Sequence, residues 1–308
     1  MSHIFEALQQ AEAERSGGSV GSLPSSLAEL LDRSRSAPTE SSSAPPVLEG
    51  AAAAPGLPSD LLSAVPIIVP NPARDARLVC LTDPGSLAAE KFRVLGLRLR
   101  NLREKRVLKK IAVTSTIPEE GKTMTAANLA LNQSRSKVLK AVLVDGDLRR
   151  PSLASRFGLS PSLPGLAEYL RGEKRLSEVL YKLQNTQLWF VPAGLPPNNP
   201  LELMQSGRLT DVLGRLGEVF DWIIIDCPPL IPLADASFWM KISDGVLLVA
   251  REGVTEKKPL ERALEIVDRS VLIGVVINGC SGGDHKNYYQ RYGQVSAAES
   301  GSPTAEND

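Results

Sequence analysis

Six short apolar runs interleaved with helical periodicity do most to limit what this chain can fold into. They are KIAVTS (110–115), AVLVD (141–145), LWFVP (188–192), DWIIID (221–226), GVLLVA (245–250) and LIGVVIN (272–278). Each is nearly continuous in apolar residues rather than alternating, so both of its faces need cover, as in a parallel sheet flanked by helices. Helical patterns fill about 122–134, 165–182, 200–218, 232–241 and 256–269. Residues 84–105 also read as a helix, with Leu87, Phe92, Leu95, Leu99 and Leu102 set among charges. The expected class is α/β, a parallel sheet with helices on both faces.

Composition divides the chain into three parts. Residues 4–15 form a short amphipathic pattern, with Ile4, Phe5, Leu8 and Ala11 on one side, that suits either a weakly ordered helix or a docking peptide. From Ser16 to Asp60, 29 of 45 residues are Ser, Ala, Pro or Gly. Such a stretch buries too little apolar surface to offset its ordering entropy and reads as a disordered linker. The expected boundaries are 1–77 for helix and linker, 78–280 for the folded domain and 281–308 for a flexible tail. The tail carries a local oddity: of five tyrosines in 308 residues, Tyr288, Tyr289 and Tyr292 lie together there.

Several classes of function are excluded early. Thirty-five basic and 35 acidic residues give zero formal charge, which argues against coating nucleic acid through bulk charge. Cys80, Cys227 and Cys280 lack any CxxC spacing, and the two histidines, His3 and His285, lie in opposite terminal segments. Neither a disulfide framework nor a zinc site is expected, and a reducing cytoplasm is the natural compartment. The apolar runs fall short of the ~18 residues a membrane span needs, and the N-terminus lacks the basic start and apolar block of a signal peptide.

The chemistry-bearing signal follows the first strand of the domain: T-S-T-I-P-E-E-G-K-T, residues 114–123. A strand, a tight loop and then Gly-Lys-Thr opening a helix is a phosphate-cradling P-loop. Gly121 lets backbone N–H groups approach phosphate, Lys122 supplies a cation for the β/γ oxygens, and Thr123 offers a hydroxyl to Mg²⁺. Thr116 stands where the first glycine of GxxxxGK[ST] is usual. Asp145 and Asp147 emerge at the end of the next strand, in V-L-V-D-G-D-L-R-R-P, and Asp226 at the end of I-I-I-D-C-P-P. Ligands of open parallel sheets bind at such strand ends, so these carboxylates and the Gly-Lys-Thr form a Mg·nucleotide constellation.

Taken together, these motifs resemble the bacterial tyrosine kinases of capsule and exopolysaccharide biosynthesis, kinases derived from P-loop ATPases. The segment P-A-G-L-P-P-N-N-P-L-E-L (192–203) and the opening MSHIFEALQQAEAER are similar to that family as well. The resemblance spans roughly 78–292 and implies a P-loop NTPase-like sheet, ATP and Mg²⁺ as cofactors, and autophosphorylation in trans of tail tyrosines, here Tyr288, Tyr289 and Tyr292. It sets Glu120, Gly121, Lys122, Thr123, Met124, Arg149 and Asn278 against the nucleotide, with Thr123, Asp145 and Asp226 as the metal set. Lys122, Asp145 and Asp147 become the catalytic group; Asp145 is favoured as the base that takes the tyrosine proton, though sequence does not separate it from Asp147. Implied partners are further copies of the chain, a membrane chain-length or co-polymerase protein that activates the kinase, and a phosphotyrosine phosphatase, with no nucleic acid. The implied location is the cytoplasm, recruited to the inner face of the membrane.

Departures from the family pattern are equally specific. The family's ring-forming helix reads E-x-x-R-x-x-R; here Glu90 and Arg93 are followed by Gly96. Related partitioning ATPases carry a lysine second in the P-loop, where this chain has Ile117. From Lys91 to Lys110 inclusive there are nine basic residues and one acidic residue, Glu104, which read as a solvated face, a subunit interface or a contact for anionic lipid or an acidic partner. Cys227, beside Asp226, reads as a packed thiol. An ATP-gated assembly factor with little kinase activity is the competing function, and a partitioning-type ATPase the third.

Overall fold

The computed structural model describes residues 65–231 and 234–280, together with Leu62. The N-terminal helix, the linker, and the tail with Tyr288, Tyr289 and Tyr292 lie outside the described residues. In chain order the elements are β1 (Ile67–Ile68), α1 (Val79–Thr82), α2 (Leu87–Arg103), β2 (Lys110–Ser115), α3 (Lys122–Gln133), β3 (Ala141–Asp145), α4 (Leu153–Arg156), α5 (Leu166–Arg171), α6 (Leu176–Val179), β4 (Tyr181–Leu183), β5 (Leu188–Val191), α7 (Pro200–Met204), α8 (Arg208–Val219), β6 (Trp222–Asp226), α9 (Ala234–Ile242), β7 (Gly245–Arg251), α10 (Lys257–Ile266) and β8 (Leu272–Asn278).

The strands form one eight-stranded sheet in the order β1-β4-β5-β3-β6-β2-β7-β8. Every pairing is parallel except β4 with β5. Both faces are covered, because consecutive residues of the central strands are buried alike. Ile111, Val113, Leu143, Ile224 and Leu247 join the core cluster on one face, while Ala112, Val142, Ile223, Ile225 and Leu248 are buried on the other.

Helix α3 lies beneath the sheet's centre and is buried along nearly its whole length. Across it packs α2, whose N-cap Ser86 accepts a hydrogen bond from the Ala89 N–H at 3.2 Å. The two helices approach closely at Gly96, where an added Cβ would sit 2.2 Å from Asn132 Oδ1. Gln133 Nε2 donates to the Gly96 carbonyl at 3.2 Å. The glycine that interrupts the ring-helix pattern is thus a packing residue, and a side chain there would have to displace that of Asn132. Helix α8 shows the ordinary amphipathic solution, burying Leu209, Val212, Leu213 and Leu216.

Two expectations need correction. The helix expected over 165–182 is α5 and α6 followed by strand β4, because Gly172 turns left-handed (φ 81°) and ends α5. The helix expected over 200–218 is broken likewise at Gly207 (φ 77°) into α7 and α8. Strand β1 also lies upstream of Leu78 and pairs with β4 through Ile67–Lys182 and Ile68–Leu183. These edge strands are two and three residues long, too short to leave a periodicity in the sequence.

Candidate active site

Parallel register does the first part of the assembly. Asp145 stands opposite Asp226 across the β3–β6 pair, and Val113 opposite Asp226 across β2–β6. The ends of β2, β3 and β6 therefore converge, and the loop leaving β2 begins beside two buried carboxylates. Both Asp145 and Asp226 are 0% exposed.

The loop 116–121 carries the strain of the turn into α3. Glu119 has φ 67°, and Gly121 has φ 96°, a conformation natural to glycine. A side chain at 121 would in addition place its Cβ 2.1 Å from Asn278 Nδ2. Gly121 provides no side-chain cap, and the first intrahelical bond runs from the Thr125 N–H to the Gly121 carbonyl. The amides of Lys122, Thr123 and Met124 are therefore left free of helical partners at the positive end of a twelve-residue helix, an arrangement that suits an anion.

Lys122 lies within this cluster. Its ammonium donates to Asp147 Oδ2 at 2.9 Å, to Asp226 Oδ1 at 3.4 Å and to Thr123 Oγ1 at 3.3 Å. Burial pulls its pKa down, but Asp226 and Asp147 outweigh that and hold it above the ordinary lysine value. Burial, reinforced by the Asp226 charge, pushes Asp145 up to about 8. Burial also raises Asp226, against the opposing pull of Lys122 and a hydrogen bond from Thr123. Three carboxyls and one ammonium in so dry a place are short of positive charge, and Asp226 Oδ2 is buried with no hydrogen-bond partner among the described residues.

These residues fit Mg²⁺ and a nucleotide. An orphaned carboxylate oxygen beside a threonine hydroxyl is a hard oxygen donor set with positions left for water and phosphate. Among the described residues no three His, Cys, Asp or Glu side chains group to hold a metal alone. Mg²⁺ typically needs only one or two carboxylates, substrate phosphates completing its shell. Thr116 Oγ1, on the loop itself, is a second buried oxygen without a partner.

The D-G-D turn is held from several sides. Asp145 Oδ1 accepts from the Asp147 N–H at 3.3 Å and Oδ2 from the Leu153 N–H at 3.1 Å. Asp147 Oδ1 accepts from the Arg150 N–H at 3.1 Å. Between the two carboxylates Gly146 permits a close approach, since a Cβ there would lie 2.8 Å from the Trp239 ring and 2.9 Å from the Asp226 carbonyl. Trp239 Nε1 donates to the Gly146 carbonyl at 3.0 Å.

The remaining expected site residues are placed as follows. Arg149 forks onto Asp235 of α9, its Nη2 at 3.2 Å from Oδ1. Asn278 donates from Nδ2 to the Glu120 carbonyl at 2.9 Å. The Glu120 side chain turns inward and accepts from the Ile117 N–H at 2.9 Å and from the Thr255 hydroxyl. Met124 is half-buried in the first turn of α3. Cys227 is buried, its thiol pushed well above the ordinary value by desolvation, as a packed rather than reactive sulfur would be. Segment 192–203 is organised by Glu168, which accepts from the Gly165 N–H at 2.7 Å and the Leu195 N–H at 3.1 Å. Sequence reasoning passed over Trp239, Asp235 and Thr255, since none belongs to a motif and each reaches the site only through packing.

No protein-family model matches the chain. Tyrosine-protein kinase YwqD of Bacillus subtilis is 32% identical over 215 residues, covering 68% of this chain and 89% of that protein. Tyrosine-protein kinase CpsD of Streptococcus agalactiae is 30% identical over 188 residues, 59% of this chain and 82% of the relative. Among solved structures, the kinase domain of Escherichia coli tyrosine kinase ETK matches with a TM-score of 0.60 at 27% identity, over 66% of this chain and 79% of that one. The chimerical protein CapA2B2 matches with a TM-score of 0.62 at 26% identity, over 72% of this chain and 98% of its own. With so much of YwqD matched, and with a lysine, a threonine and three aspartates gathered at the strand ends, this chain belongs to the bacterial tyrosine-protein kinase family.

Proposed function

We propose that the protein is an ATP- and Mg²⁺-dependent tyrosine autokinase that phosphorylates Tyr288, Tyr289 or Tyr292 of another copy and so regulates polymerisation or export of a surface polysaccharide. The observation that carries this reading is the buried Lys122–Asp147–Asp226–Thr123 cluster beside the left-handed Gly121. In the transfer, the bond from the γ-phosphorus to its bridging oxygen breaks, a bond to the tyrosine oxygen forms, ADP leaves, and the phenolic proton passes to a carboxylate. A phenol of pKa about 10 needs such a base at neutral pH.

Lys122 exchanges its two carboxylate partners for phosphate oxygens, and that exchange frees Asp147 Oδ2. Asp145 and Asp147 then divide the work. Both oxygens of Asp145 already accept backbone N–H groups, which favours Asp147 for the proton and Asp145 for ordering the turn. Thr123 and Asp226, with Asp145 nearby, would hold Mg²⁺, which neutralises charge developing on the phosphates. The amides of 121–124 cradle the same phosphates, while Arg149 and Asn278 border the site. Tyr288 is ten positions along the sequence from Asn278, which touches the phosphate loop.

Further copies of the chain, an activating membrane protein of the polysaccharide machinery and an opposing phosphatase complete the proposal, with the kinase recruited to the inner membrane face. The test mixes Lys122→Met chains, tails intact, with catalytically competent chains whose three tail tyrosines are phenylalanine. Label from γ-labelled ATP is expected on the Lys122→Met chain. Its absence, with and without the membrane partner, rejects transfer in trans. Asp145→Asn and Asp147→Asn assayed side by side identify the base by the larger fall in kcat.

A further inference from the structure

Three contacts from β7, β8 and the turn after β7 converge on the phosphate loop. Thr255 begins the chain: its hydroxyl accepts from the Arg251 N–H at 2.7 Å and donates to Glu120. The other oxygen of Glu120 accepts from the Ile117 N–H at 2.9 Å, which ties the loop's first residues to its last. Arg251 Nη1 donates to the Glu119 carbonyl at 3.3 Å and Asn278 Nδ2 to the Glu120 carbonyl at 2.9 Å. Glu120 is fully buried and Thr255 nearly so, at 0% and 6% exposure. A buried carboxylate costs several kcal/mol unless it is fully bonded, so this pairing is specified rather than incidental.

The geometry of the peptide unit gives the contacts a consequence. In a trans peptide the C=O of one residue and the N–H of the next point in opposite directions. Holding the carbonyls of 119 and 120 toward β7 and β8 therefore turns the N–H groups of 120 and 121 the other way. In the strand order β6 and β3 lie on that other side of β2, and with them Asp226, Asp147 and Lys122. Two left-handed residues, Glu119 and Gly121, would otherwise relax and let those amides rotate.

We infer that Thr255 and Glu120 are positioning residues for the nucleotide, acting through the phosphate loop: their side chains aim the amides of Glu120 and Gly121 at phosphate and touch no ligand. The inference rests on the nucleotide-binding part of the proposed function but not on phosphotransfer to tyrosine. Arg251 at the end of β7 and Asn278 at the end of β8 complete the clamp.

The experiment measures MgADP affinity by calorimetry on the full-length chain, alongside KM for ATP, kcat and melting temperature. Glu120→Ala should weaken MgADP and raise KM by about tenfold, and Thr255→Val by about threefold, with kcat changed less than KM. Glu120→Gln keeps an acceptor for Ile117 and an amide for Thr255, and should restore affinity to within about twofold. If Glu120→Ala fails to fold, the near-isosteric Thr255→Val and the Gln variant decide. Unchanged MgADP affinity in folded Thr255→Val or Glu120→Ala overturns the inference, as does a kcat loss with KM unmoved. The calorimetric arm stands even if label never reaches a tyrosine, so failure of the clamp and failure of the kinase reading are told apart.

Discussion

The two ends of the sheet hold similar residues and treat them differently. At the N-terminal end of the strands, Asp244 Oδ2 accepts from the N–H groups of Lys109 and Lys110 at 2.9 and 2.7 Å, and its other oxygen lies 3.6 Å from Lys110 Nζ. Arg103 stacks 4.9 Å above Trp222 and pairs with Asp221 at 3.5 Å. Lys109 Nζ donates to the Gly217 carbonyl at 2.6 Å, and Arg106 to the Ser270 carbonyl at 3.1 Å. Much of the basic run 91–110 is consumed in closing that end. At the C-terminal end, Lys122 is shared by two carboxylates, a third is pushed toward neutrality and one oxygen has no partner. Arg103 Nη1 and Trp222 Nε1 also lack a hydrogen-bond partner among the described residues, so the difference lies in charge. Charges balanced by their neighbours are architecture, and a set left short of positive charge is a binding site.

The largest effect expected from this contrast is at Lys122. Lys122→Met should lower kcat/KM by about 10²-fold or more while the chain stays folded, since the residue stabilises ligand charge rather than the fold. Near-native melting with normal turnover would break the comparison. Next comes Gly146→Ala, whose Cβ would meet the Trp239 ring and the Asp226 carbonyl. A loss of about 1–3 kcal/mol in urea unfolding is expected, with activity falling as well, because the displaced turn carries Asp145 and Asp147. Asp244→Ala, at the opposite end, should cost a similar or slightly smaller amount of stability, about 1–3 kcal/mol. It should leave KM for ATP within twofold; a large KM change there would mean the two ends are coupled.

A smaller, directional effect is expected with pH in Mg²⁺-free, nucleotide-free protein. The folded value of Asp145, about 8, lies above that of an unfolded aspartate. The folded state therefore binds the proton more tightly. The stability it contributes is fully present below the unfolded value, near 4, and is lost as pH rises toward 8. Urea midpoints at pH 5 and pH 8 should differ more in the native chain than in Asp145→Asn; equal differences would contradict the buried-carboxyl reading. The smallest effect belongs to Arg98, exposed on α2, where Arg98→Gln should move stability by no more than about 0.5 kcal/mol.

Legibility in the sequence followed the length and periodicity of each segment. Strands β2, β3 and β8 have the bounds read from their apolar runs; β2 and β3 are central and buried and have no freedom to be polar, while β8 is a half-buried edge strand with a seven-residue run long enough to read. Strand β4 was read as helix because three residues carry no period and Gly172 resembles a tolerated interruption until its positive φ is known. Glu120 shows the same limit within the site. Its place in the P-loop motif suggested a nucleotide contact, whereas its side chain is spent on Ile117 and Thr255, the latter 135 positions away. Gly96 was an unexplained break in a helix pattern and is now the point where α2 meets α3.

The sequence by itself determined the sheet's class, the phosphate loop and the three aspartates, since each is written within a few adjacent residues whose spacing obeys local geometry. Only the tertiary structure decided which carboxylates share Lys122, which oxygen is left without a partner and which distant side chains aim the loop. Those outcomes depend on strand order and register, which bring residues more than a hundred positions apart to within hydrogen-bond distance, and no local pattern records them.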